Sequence, residues 1–279
     1  MLSWPALAAE RAYIPNQAAD TLSVVDLSQH KVIATLAVGK APVGVAVDAP
    51  RHRVYVSNVD GHSVSVIDSV ALQVVQTIAL PVAPVGITVS PAGDRLYVAD
   101  WYHDAILTVD VATARVVQRI VVGKAPGGLQ LSPRGDILYV ANRDSDDVSV
   151  VDTSLGQERR RVAVGRHPFG LALDPDAGYL YVVNVYSDTV SALDTHSEQV
   201  VRSFATGRHP YCVTVDAVRQ RLFVSNTGED SVSVIDLRHA QHRTLASAGT
   251  PEGIAYDGQH QQVLVASWMD DLLAVLDAQ

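Results

Sequence analysis

Short runs of alternating or β-branched apolar residues recur along the whole chain, each closed by Gly, Pro, Asn or Asp. Such runs predict strands, because side chains alternate between the faces of a pleated strand and Val, Ile, Thr and Tyr suit that surface. Apolar positions at helical spacing are almost absent. The runs are of four kinds. RVYVSN (Arg53 to Asn58) returns as RAYIPN, RLYVAD, ILYVAN, LYVVN and RLFVSN, with Tyr13, Tyr55, Tyr97, Tyr139, Tyr181 and Phe223 each 42 residues apart. A weaker copy, VLVAS (263–267), follows a one-residue deletion. Behind each copy stands a second run such as VSVID, ending at Asp26, Asp68, Asp110, Asp152, Asp194, Asp236 and Asp277. A third run resembles VVQTIAL, and a fourth follows a proline, as in PVGVAVD and PFGLALD.

Four antiparallel strands in each 42-residue unit predict a seven-bladed β-propeller, an all-β fold occupying residues 1–279 as one domain. Seven full units would exceed the 279 residues present. The shortfall is local: the last unit stops at Gln279 without a fourth strand, and the first has only LSWPA (2–6) where its proline-led strand belongs. The last blade is therefore expected to carry three strands, unless another segment completes it.

The YVSN, YVAN and YVVN copies resemble the YVTN repeats of bacterial and archaeal seven-bladed propellers, over nearly the whole chain. By that resemblance the proline-led run is the inner strand a, the YVxN run strand b, VSVID strand c and VVQTIAL the outer strand d. The b–c and d–a loops then open on one face around a central channel. The resemblance leaves activity open, because such propellers serve as surface proteins, accessory proteins, lyases, lactonase-like enzymes and haem-associated oxidoreductase domains.

Composition narrows the partners. Thirty acidic against twenty-one basic side chains give a net charge of −9, which disfavours nucleic acid and anionic membrane surfaces, since phosphate binding needs concentrated positive charge. One cysteine, Cys212, excludes an internal disulfide framework and any CxxC metal or redox motif. Residues 69–93 carry no charge, but prolines, glycines and glutamines divide the segment into two strands and a loop, so no membrane span is expected. Near the N-terminus, Ala6-Leu7-Ala8 before Ala9 matches a signal-peptidase site without the basic and apolar segments that normally precede it. Together with the resemblance it implies a periplasmic or secreted protein.

What repeats is read as structure. The Asp closing each c strand suits a turn, where its carboxylate accepts backbone N–H bonds, and Gly44, Gly86, Gly128 and Gly170 suit close backbone approach near the axis. What departs from the repeat is read as function. The d–a loops carry Lys40, Lys124, Arg166 and Arg208 at one position, a partial ring of cations suited to an anionic ligand, or else surface charges balanced by Asp104, Asp146, Asp188 and Asp230. Adjacent units place His167 and His209 before proline. With His103 they form the candidate set for a metal ion, although no HExxH spacing supports it. Aromatics collect on the same rim at Trp101, Tyr102, Tyr186, Tyr211 and Trp268, with Phe169 nearby.

Two functions follow. One is a binding scaffold that takes a small molecule or partner protein on the loop-rich face, through Trp101, Tyr102, Arg166, Tyr186, Arg208 and Tyr211. The other is a metal- or haem-associated enzyme or redox accessory protein with its site at the channel mouth, where Glu229 and Glu252 are candidate acids and Cys212 a weak candidate nucleophile. No cofactor is specified by a motif: nucleotide, phosphate and haem-attachment fingerprints are absent.

Overall fold

The computed structural model describes residues 11–174, 176 and 178–278, and the signal-like Ala6–Ala9 and LSWPA (2–6) lie outside them. The described chain forms seven antiparallel sheets. Blades 2 to 6 each hold four strands in chain order, from a at the axis to d outside. Blade 5 is representative, with a at Pro168–Asp174, b at Tyr179–Asn184, c at Thr189–Asp194 and d at Gln199–Ala205. The last blade has strands a, b and c (Pro251–Asp257, Gln262–Ser267, Leu272–Asp277), as the sequence predicts. The first has b, c and d (Arg11–Asn16, Thr21–Asp26, Lys31–Ala37). The uncharged stretch at 69–93 resolves into strands Gln73–Ala79 and Pro84–Val89, and among the described residues no helix is long and apolar enough to cross a membrane.

Burial explains why the four runs differ in composition. Strand b is covered on both faces, so Arg53–Asn58 is buried after its first residue and reads as a near-continuous apolar run. Strand d lies at the periphery, and Gln157–Ala163 alternates a few inward residues with exposed arginines. Each blade packs face to face on the next through an apolar cluster, and there are seven clusters for seven interfaces. Burying each Leu, Ile or Val side chain contributes about 1.5–3 kcal/mol. The interface of blades 2 and 3 gathers twelve buried residues, including Tyr55, Ile78 and Leu96. The closing interface of blades 7 and 1 gathers five: Ala12, Val25, Leu27, Ala255 and Leu264. The ring closes, and its last joint is the thinnest.

The repeated polar residues hold turns and loops. Asp152 Oδ1 accepts the backbone N–H groups of Ser154 and Leu155, both at 2.9 Å, and Asp26, Asp68, Asp194 and Asp236 make the same pair of bonds. These bonds favour the ionised form and lower each carboxyl below the ordinary aspartate value. Asn58, Asn142, Asn184 and Asn226, fully buried at the ends of b strands, donate to Ser, Thr or Asp side chains at the heads of the paired c strands. The asparagines thus fix the corner from which each b–c loop leaves.

Candidate functional site

The b–c and d–a loops of each blade are joined through their backbones. In blade 5, Val185 N–H donates to His167 O at 3.0 Å and Tyr186 N–H to Arg166 O at 3.2 Å. Blade 6 repeats this with Thr227 to His209 and Gly228 to Arg208. Both loop sets therefore lie on one face. A second bond links neighbouring blades there. Asp146 in the b–c loop of blade 4 accepts the His167 N–H of blade 5 at 2.8 Å. Asp20, Asp104, Asp188 and Asp230 do likewise for Ala41, Ala125, His209 and Thr250. Donor and acceptor residues both have left-handed backbones, with φ near +50°. Asp104, Asp146, Asp188 and Asp230, read from sequence as partners of rim cations, are instead staples between blades.

Inside the rim, strand a begins with a bulge. In blade 5 Pro168 faces Asn184 and Leu171 faces Val182, so strand a spends one residue more than strand b. The same shift opens strand a in blades 2, 3, 4, 6 and 7. A bulge re-aims the side chains it carries, and here the residue after each proline lines the channel: Val43, Val85, Gly127, Phe169, Tyr211 and Glu252. The next residue sits against the neighbouring inner strand. A Cβ on Gly86 would lie 1.9 Å from Gly127 O, and one on Gly128 2.0 Å from Phe169 O. Only glycine allows that approach, as the sequence reading of these positions expects.

The channel end holds a cavity of about 550 Å³, within the usual range for small-molecule sites. It spreads from the axis into the joint between blades 7 and 1. Tyr13, Ile14 and Ser23 of blade 1 wall one side, with Ala266, Trp268, Asp271 and Leu273 of blade 7 facing them. This is the sector where blades 2 to 6 have an inner strand next to strand b. Gly253 records the difference: among the described residues a Cβ there would meet nothing nearer than Ala266 Cβ at 3.5 Å. Asp271 occupies the staple position of blade 7, but among the described residues its carboxylate caps no neighbouring loop, and it lines the cavity.

Of the residues picked from sequence, Tyr211 reaches this cavity directly. Phe169 stands beside it, ring centroids 4.5 Å apart, and Trp101 meets Phe169 edge-on at 6.4 Å. Arg143 covers the Trp101 ring at 5.6 Å. Tyr186 forms a separate group on the rim, stacked on His167 at 4.2 Å and 5.6 Å from His209. Tyr102 is exposed. Arg166 donates to the Tyr186 carbonyl, and Arg208 lies 3.8 Å from Glu229. Lys40, Lys124, Arg166 and Arg208 are all exposed on the outer rim, and among the described residues the cavity lining contains no Lys, Arg or His. The expected ring of cations is real in sequence but stands outside the cavity.

The three histidines stand in different surroundings. His103 Nδ1 is 2.9 Å from Asp100 Oδ1, because blade 3 ends strand b with Asp rather than Asn. His167 and His209 flank the Tyr186 ring, and the His167 Nδ1 is buried without a hydrogen-bond partner among the described residues. No group of three or more His, Cys, Asp or Glu side chains converges on a metal position among the described residues. Burial pushes the Cys212 thiol up to about 11, so it stays protonated at neutral pH and lacks the thiolate a nucleophile needs. Burial also raises the Tyr211 phenol.

Sequence reasoning passed over Tyr13, Asp271 and Gly253. Tyr13 follows the core period and is buried, and it also lines the cavity. Asp271 was hidden by the one-residue deletion that breaks the 42-residue count. A second groove, on the opposite face between blades 2 and 3, is lined by Arg51, Arg53 and Tyr55. Its guanidinium groups are taken up by Asp48 at 3.1 Å and Asp68 at 2.8 Å, so it reads as stitching.

Seven sheets around a channel, with a cavity at one end, define a seven-bladed β-propeller. A family model described as YNCE-like beta-propeller matches residues 45–134 and 132–217, and the chain belongs to that family. No curated protein matches it. Among solved structures, hydrazine synthase of Kuenenia stuttgartiensis is similar, with a TM-score of 0.83 over 96% of this chain and 92% of that one. At 20% identity the likeness is one of fold.

Proposed function

We propose that this propeller is a binding protein whose small-molecule ligand enters the channel cavity from the loop-rich face. The observation that carries the reading is the convergence of departures from the repeat. Phe169, Tyr211 and Glu252 take the bulge position that Val or Gly fills elsewhere, and all three line one cavity. Aromatic walls supply contact area at low entropy cost and suit a ligand with a flat apolar part. Trp101 backs the sector through Phe169, while Tyr102, Arg166, Tyr186 and Arg208 form an outer rim that a partner protein would meet first. The enzyme reading has less support: Cys212 is held as a thiol, and the rim histidines point to no shared ligand. Export to a periplasm or cell surface is part of the proposal and rests on Ala6-Leu7-Ala8 with the family resemblance.

Fragment screening by ligand-observed NMR tests it. Aromatic fragments are expected to bind the parent, and Tyr211→Ala or Trp268→Ala to weaken them by about tenfold, the scale of one lost aromatic contact. Hits that survive both substitutions, or that map to the groove at Arg51 and Tyr55, overturn the assignment.

A further inference from the structure

The cavity has a sign, and it is opposite to that of the rim. Among the described residues its lining carries two carboxylates, Glu252 and Asp271, and no Lys, Arg or His. Both belong to blade 7, one at the head of its inner strand and the other in its b–c loop. Neither carboxylate has a structural task among the described residues. Glu252 holds Ser225 through its backbone carbonyl, 2.8 Å from the hydroxyl, and not through its side chain. Asp271 sits where Asp20, Asp104, Asp146, Asp188 and Asp230 staple the following blade, but it staples none of the described residues.

The remaining polar groups on this wall are neutral near pH 7. Burial keeps the Cys212 thiol and the Tyr211 phenol protonated. Burial also pushes the Glu252 carboxyl above its ordinary range. The same cavity is lined by the rings of Trp268, Phe169, Tyr211 and Tyr13. Aromatic faces carry negative electrostatic potential and attract ammonium groups, most of all where water is excluded.

We propose that the channel cavity selects a cationic ligand: an amine or quaternary ammonium compound bearing an apolar or aromatic body. The ammonium is drawn to the blade 7 wall at Glu252 and Asp271, and the body lies against Trp268, Phe169 and Tyr211. This rests on the channel cavity being the ligand site, and it reverses the anion preference that the rim cations suggest. The rim cations then act as a filter, since exposed Lys40, Lys124, Arg166 and Arg208 hold anions outside the cavity.

The test uses three probes of matched size: 3-phenylpropylamine, 3-phenylpropanol and 3-phenylpropionate, titrated calorimetrically into the whole chain at fixed ionic strength. The amine is expected to bind at least about tenfold tighter than the alcohol, with the carboxylate weakest. Glu252→Gln and Asp271→Asn are expected to bring the amine down to the level of the alcohol, while the alcohol changes by less than about twofold. Neither side chain holds the fold among the described residues, so circular dichroism of both variants should match the parent. Equal binding of all three probes, tighter binding of the carboxylate, or an amine preference that survives both substitutions overturns the charge assignment and leaves the cavity reading standing. Failure of all three probes to bind overturns the cavity reading itself, and this inference with it.

Discussion

Blades 3 and 4 and the joint of blades 7 and 1 solve one packing problem with different means. At the regular joint, inner strands approach until glycine is obligatory, with Gly86 against the Gly127 carbonyl, and a full apolar cluster fills the faces. At the closing joint, Gly253 has ordinary room and five residues make the cluster. The regular joints are spent on stability. The closing joint leaves space, and the cavity opens there. The largest test of this contrast substitutes alanine at both glycines. Gly86→Ala forces a Cβ onto a backbone carbonyl that cannot swing aside, and is expected to cost about 3 kcal/mol. Gly253→Ala is expected to leave the unfolding free energy from urea titration unchanged or raise it by about 0.5 kcal/mol, because alanine lowers the entropy of the unfolded chain. An equal loss at both positions would mean that another strand presses on Gly253, and the joint would not be open.

The fold was legible because a propeller writes its architecture into the chain several times. Each strand meets the same neighbours in every blade, so Tyr55 and Tyr139 answer the same packing demand and the 42-residue spacing exposes it. The three-stranded last blade was legible from the same count. The departures at Phe169, Tyr211 and Glu252 were legible too, since all three follow the proline that opens strand a. The sign of the cavity they line was not. Lys40, Arg166 and their equivalents sit two residues before that proline, yet the bulge turns the chain between them and the channel, so near neighbours in sequence face different surroundings. The role of Asp146 and its equivalents was hidden for another reason. Their partners are backbone N–H groups of the next blade, and a backbone group leaves no trace in a side-chain pattern.

Those staples provide a second, smaller way to sharpen the contrast. Asp146→Ala removes the acceptor from the His167 N–H and is expected to cost about 1–2 kcal/mol, the usual range for a charge-assisted bond to backbone. Asp271→Ala at the closing joint is expected to cost less than about 0.5 kcal/mol, in keeping with a surface position that caps nothing. Hydrogen exchange checks the mechanism independently. Asp146→Ala should speed exchange at the His167 amide, whereas Asp271→Ala should change no amide in the d–a loops of blades 2 to 6. A large loss from Asp271→Ala would place that carboxylate among the staples and remove it from the cavity.

The smallest expected effect belongs to the rim histidines, and it separates scaffold from decoration on the regular side of the molecule. His167 and His209 occupy left-handed positions, with φ of 53° and 47°. Ala41 and Ala125 adopt the same conformation at the equivalent positions, with φ of 51° and 50°. An L-residue bears that strain whether its side chain is methyl or imidazole, so replacing both histidines by alanine changes little in the backbone. What is lost is the stacking of His167 on Tyr186 and the weaker contact of His209 with the same ring, on a surface open to water. The double variant His167→Ala with His209→Ala is therefore expected to unfold within about 0.5 kcal/mol of the parent. It is also expected to bind the amine probe as the parent does, since neither imidazole lines the cavity. Cobalt titration gives the decisive reading. Stoichiometric cobalt binding by the parent, abolished in the double variant, would restore these histidines as metal ligands, whereas matching titrations would leave them as ring partners of Tyr186.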